Sequence, residues 1–69
     1  MNEEYLRLAK VKVRDIRSLI CGVSRRAAEL SRGGRPMVPV LPQDDRSRLD
    51  IALLEVAEGK IKIVEPDME

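Results

Sequence analysis

DIRSLICGVSRRAAELSRGG, residues 15–34, decides the fold. Ile16, Leu19, Ile20, Val23, Ala27 and Leu30 recur at spacings of 3, 1, 3, 4 and 3, which lays them along one stripe of a helix. Asp15 stands where an N-cap side chain can accept a backbone N–H, and Gly33 or Gly34 supplies a left-handed stop. The spacing therefore predicts a helix over about 15–31. Arg17, Arg25, Arg26, Glu29 and Arg32 lie off the stripe. Gly22 costs roughly 1 kcal/mol relative to Ala inside a helix. Close approach of another backbone would account for it, and so would a neutral surface position. The Arg25–Arg26 pair is either a basic head for nucleic acid or a shoulder that grips another protein.

Downstream, GGRPMVPVLPQ (33–43) excludes a helix through Pro36, Pro39 and Pro42. Met37, Val38, Val40 and Leu41 are too apolar for a free linker, so the segment reads as extended chain laid over a surface. A second long helix follows over about 45–58. Asp44, Asp45 or Ser47 can cap it, and Ser47 with Asp50 has the spacing of a capping box. Leu49, Ala52, Leu53, Val56 and Ala57 form one face, which Ile51 and Leu54 widen, so this helix needs more than one neighbour. Gly59 ends it. KIKIV (60–64) alternates like a short strand, and the acidic tail EPDME (65–69) reads as mobile. Upstream, NEEYLRLA (2–9) reads as a short helix capped by Asn2, with Glu3 and Glu4 at the positive end of its dipole. KVKV (10–13) is too short to decide between a strand and a continuation of that helix. The expected architecture is mainly α, a single domain over 1–69, with two long helices and a short N-terminal one joined by a proline-rich segment.

Composition narrows the function. A chain of 69 residues with one tyrosine, no Phe and no Trp must build a marginal, aliphatic core, which favours finishing that core against something larger. Charge is divided: nine Lys/Arg against four Asp/Glu in residues 1–35, four against eight in 36–69. The basic half suits an acidic protein surface or nucleic acid, or is simply solvated. With no His and one Cys, a zinc site of the usual kind, a catalytic triad and histidine acid–base chemistry are all out of reach. Cys21, mid-helix beside the stripe, reads as structural and reduced. No phosphate-binding glycine motif occurs. No apolar run nears the roughly 20 residues of a membrane span, and no signal peptide is visible, so a cytoplasmic location is expected. No catalytic, metal or cofactor site is expected in this chain.

Two segments, LICGVSRRAAELSRGG (19–34) and IALLEVAEGKI (51–61), resemble the omega subunit of bacterial DNA-directed RNA polymerase. That family is shared with the small common subunit of archaeal and eukaryotic polymerases. Arg26, Ala27, Leu30 and Gly33 match its first half, and Ile51, Ala52, Glu55, Gly59 and Ile61 match its second. Asp15, Ile16 and Arg17 depart from the Asn-Arg-aromatic start common in the family. The resemblance implies a noncatalytic subunit of a nucleotidyltransferase complex. Its partner would be the largest catalytic subunit, whose assembly it aids, and DNA would be met only through the complex. The nine matched residues would be the partner-binding set, with no cofactor. Arg25 and Arg26 then become a protein-gripping shoulder, Arg26 pairing with a carboxylate or with carbonyls near the helix ends or on the partner.

Two other classes compete. A helix-turn-helix DNA-binding module joins its helices through a turn of three or four residues. Here a proline-rich stretch separates them, and Asp44, Asp45, Asp50, Glu55 and Glu58 on the second helix would repel phosphates. A stand-alone, antitoxin-like partner-binding protein is the third class.

Overall fold

The computed structural model describes residues 2–40 and 44–63. Three helices follow in chain order: α1 (Glu3–Lys12), α2 (Ile16–Ser31) and α3 (Arg48–Ala57). No strand occurs among the described residues. α3 is the centre: it packs extensively on both α1 and α2, which barely touch each other.

The caps follow the sequence closely. The Asn2 side chain accepts from the Tyr5 N–H, that of Asp15 from the Arg17 N–H, and that of Ser47 from the Asp50 N–H. Asp50 does not complete a capping box. Its carboxylate instead accepts the Asn2 N–H at 2.6 Å, so the start of α1 is tied to the first turn of α3. Both longer connections off helices close in the same way. The Gly34 N–H reaches the Glu29 carbonyl and the Gly33 N–H that of Leu30. The Lys60 N–H reaches Glu55 and the Gly59 N–H reaches Val56. These are Schellman closures, and Gly33 (φ 100°) and Gly59 (φ 74°) hold the left-handed position that each requires.

Three boundaries differ from the sequence reading. α1 continues to Lys12, and only Val13 is extended, its N–H still bonded to the Ala9 carbonyl. Burial of Ala9 and Val13, four residues apart, fixes that choice against the strand-like alternation of KVKV. α3 begins at Arg48 rather than near 45, because Asp44 spends its carboxylate on the Arg46 N–H and guanidinium, a local turn that competes with helix. Residues 60–63 form no strand, since no second strand lies beside them to take their hydrogen bonds. Their alternation serves packing, with Ile61 and Ile63 against the core and Lys60 and Lys62 in solvent. Val64 and the tail at 65–69 lie outside the described residues, as do Leu41 and Pro42.

Two apolar clusters share α3. Ala52, Leu53 and Val56 meet Ala9, Val13, Leu19 and Val23, with Tyr5, Leu6, Leu49, Ile61 and Ile63 around them. On the other side, Ile51 meets Leu30 of α2 and Val38 of the crossing segment, flanked by Val40 and Leu54. The breadth of the apolar surface on α3 is thus used within the chain: α1, α2 and the crossing segment are its several neighbours. Gly22 does mark a close approach, by the Ile63 side chain rather than a backbone, since an added Cβ would stand 2.5 Å from Ile63 Cδ1.

Candidate partner-binding site

Two of the residues that carry the family resemblance, Arg26 and Glu55, meet in a buried ion pair. Glu55 projects from the last turn of α3 with none of its surface exposed. Arg26, from the second half of α2, donates through Nε to Glu55 Oε1 at 2.7 Å and through Nη2 to Oε2 at 3.1 Å. This two-point fork matches the planar guanidinium to the carboxylate. The Met37 N–H donates to Glu55 Oε2 at 2.8 Å, and Arg26 Nη2 also donates to the Arg35 carbonyl at 2.8 Å. Arg26 Nη1 takes Glu29 Oε1 at 3.0 Å. No buried side-chain nitrogen or oxygen among the described residues lacks a partner.

Electrostatics explains why an arginine stands there. Glu29 and Glu55 each sit near the C-terminal end of a helix, where the dipole disfavours a carboxylate. Arg26 neutralises both. The hydrogen bonds to Glu55 are the main reason its guanidinium is held still further above its usual value, against the opposing cost of burial; those to Glu29 add to the effect.

The other matched residues lie elsewhere on α2, on α3 and in the stretches that follow them. Leu30 and Ile51 are buried beside the crossing segment, and Ala52 is fully buried among Leu19, Val23 and Leu53. Ala27 and Ile61 are half-buried, while Gly33 and Gly59 lie exposed at the turns. Arg25 and Arg26 therefore part company: Arg25 faces solvent, and Arg26 is a strut inside the chain. Of the partners foreseen for Arg26, the carboxylate and the carbonyl both belong to its own chain. Cys21 is exposed rather than set against the core.

A second arginine was not legible as a site residue. Arg46 binds Asp44 through two nitrogens, at 2.6 and 2.9 Å, donates to the Tyr5 hydroxyl at 3.2 Å and reaches the Pro39 carbonyl at 3.0 Å. Its side-chain hydrogen bonds to Asp44, chiefly, hold the Asp44 carboxyl below the usual carboxylate range. The available signals were a lone arginine following two aspartates and the single tyrosine of the chain.

No group of His, Cys, Asp and Glu among the described residues could hold a metal, and no helix there is long and apolar enough to cross a membrane. The depression on α1 between Glu3, Glu4, Leu6, Arg7 and Lys10 is open, and Arg7 is already paired with Glu4 across it.

Comparison with curated proteins and with solved structures gives no match. Comparison with protein families gives one, to RNA polymerase Rpb6, over residues 13–63. The match leaves out α1 and takes in α2, the crossing segment, α3 and the turn after it, which is every element that contributes to the Arg26–Glu55 pair. The resemblance read from two short segments holds across well over half of the sequence, and the chain belongs to the RNA polymerase Rpb6 family.

Proposed function

We propose that this chain is an omega-like, noncatalytic subunit of DNA-directed RNA polymerase that binds the largest catalytic subunit and promotes its assembly. The observation that carries the reading is the family match over 13–63, the stretch that builds the clamp around Glu55. The nine residues of the resemblance divide by burial. Arg26, Leu30, Ile51, Ala52 and Glu55 set the shape of the surface from beneath. Ala27, Gly33, Gly59 and Ile61 reach it and contact the partner. DNA is met through the complex only, and the chain works in the cytoplasm without a cofactor.

The test is affinity purification from the native cell, followed by titration of the purified chain with the largest polymerase subunit. Recovery of that subunit and 1:1 binding are expected. Binding that rests on apolar contact weakens little as salt rises from low to moderate, whereas a phosphate-binding protein loses on the order of 10³-fold or more. A steep salt slope with DNA and no polymerase subunit recovered would overturn the reading.

A further inference from the structure

We propose that Met37 is the anchor of this interface, a methionine side chain presented on a clamped strap to an apolar pocket with an acidic rim on the largest polymerase subunit. The proposal rests on the polymerase reading and adds to it the point of contact and the chemistry of the receiving site.

The argument starts from an imbalance. A fully buried carboxylate is costly, and its pairing with an arginine often does no more than recover that cost. Here the pair also holds two backbone groups of the crossing segment, the Arg35 carbonyl and the Met37 N–H, at 2.8 Å each. Val38, the next residue, is buried against Leu30 and Ile51. Pro36 and Pro39 restrict the chain on either side. The segment is thus fixed from below at three points, Arg35, Met37 and Val38, and what it turns outward is the Met37 side chain, with 52 % of the residue's surface exposed. An apolar side chain on a pre-ordered backbone loses little entropy on binding, which is how a small contact becomes an energetic centre. Methionine adapts its shape to the pocket that receives it.

The other exposed large apolar residues stand away from this strap. Leu8 and Val11 lie on the outer face of α1, outside the stretch that matches the family, and Ile16 is the first residue of α2. Charge sets the character of the partner. Arg32 and Arg35 lie exposed just before Met37, and neither guanidinium has a carboxylate partner among the described residues. A pocket that takes Met37 beside them has carboxylates at its edge.

The test uses the full chain and the purified largest polymerase subunit. Met37→Ala should raise Kd about tenfold or more while leaving the melting temperature unchanged, and Met37→Leu should keep Kd within about threefold. Arg35→Glu should weaken binding at low salt and progressively less at high salt. In chain labelled with 13C at the methionine methyls, the Met37 signal should shift on addition of the subunit and not on raising the concentration of the chain alone. Met37→Ala that binds like the wild type, while the wild type binds the subunit, overturns the anchor and leaves the polymerase reading standing. A wild-type chain that does not bind the subunit overturns both. A Met37 shift that tracks the chain's own concentration overturns the proposal in favour of self-association.

Discussion

Two arginines fasten the crossing segment, one near each end, and they do it by opposite means. Arg26 joins residues 29 positions apart through a carboxylate with no exposed surface, and grips the segment at Arg35 and Met37. Arg46 pairs with Asp44 only two residues away, keeps 27 % of its side chain in solvent, and grips the segment at Pro39. The first is a tertiary contact that exists only when α2, α3 and the segment are assembled together. The second is a local turn whose tertiary reach is limited to the Tyr5 hydroxyl and one carbonyl. The difference teaches where an ion pair matters: a buried pair is costly to break from one side, because the survivor is left charged and unsolvated.

Breaking the first clasp tests this most severely. Glu55→Ala should destabilise the chain by about 3–5 kcal/mol, since it leaves the Met37 N–H without its acceptor and the Arg26 guanidinium with only Glu29 and the Arg35 carbonyl, and Arg26→Ala should cost a similar amount by leaving the buried Glu55 carboxylate with the Met37 N–H alone. Urea denaturation followed by circular dichroism measures both. A loss below about 1 kcal/mol for either would put the two clasps on equal footing. Arg46→Ala should cost about 1 kcal/mol or less in the same assay, and unlike the Glu55 variant its effect should shrink at high salt.

Acid sharpens the contrast further. The Asp44 carboxyl is held below its usual range in the folded chain, so folding disfavours its protonation. Its contribution to stability is complete above the ordinary carboxylate pKa of ~4 and is lost as pH falls through the lower folded value. Stability measured against pH should therefore decline less steeply on the acid side for Asp44→Asn than for the wild type. The smallest effect belongs to the neighbour of the buried strut: Arg25→Ala should change stability by no more than about 0.5 kcal/mol. A large loss there would mean that the two adjacent arginines share the load.

That adjacency also marks the limit of what the sequence discloses. α2 was legible from Ile16 to Ser31 because its information is local: an apolar stripe, Asp15 before it, Gly33 after it. The mainly helical class followed from the same local signals. The end of α1 and the start of α3 were set by tertiary burial of Val13 and by the capture of Asp44 by Arg46; the four-residue step from Ala9 to Val13 competes with the alternation of KVKV, and the capture has no periodicity to read. Within the candidate site, Arg26 and Glu55 could be singled out by resemblance, but not joined. Nothing in a pattern of spacings says that an arginine will find a glutamate on another helix, or that a backbone N–H will share it. The broad apolar surface of α3 did announce more than one neighbour, but not which: Ile51 and Leu54 pack with Val38 of the chain's own crossing segment.

The bond from the Met37 N–H to Glu55 has a consequence for time as well as shape. An amide proton in an irregular segment ordinarily trades with solvent as the segment fluctuates. This one ends on an oxygen of a fully buried residue, so it is released only when the segment lifts from α3. Pro36 and Pro39 on either side carry no amide proton at all. In deuterated water the Met37 amide would therefore act as a slow clock on a non-helical stretch, and its exchange rate would count the openings of the junction between two helices.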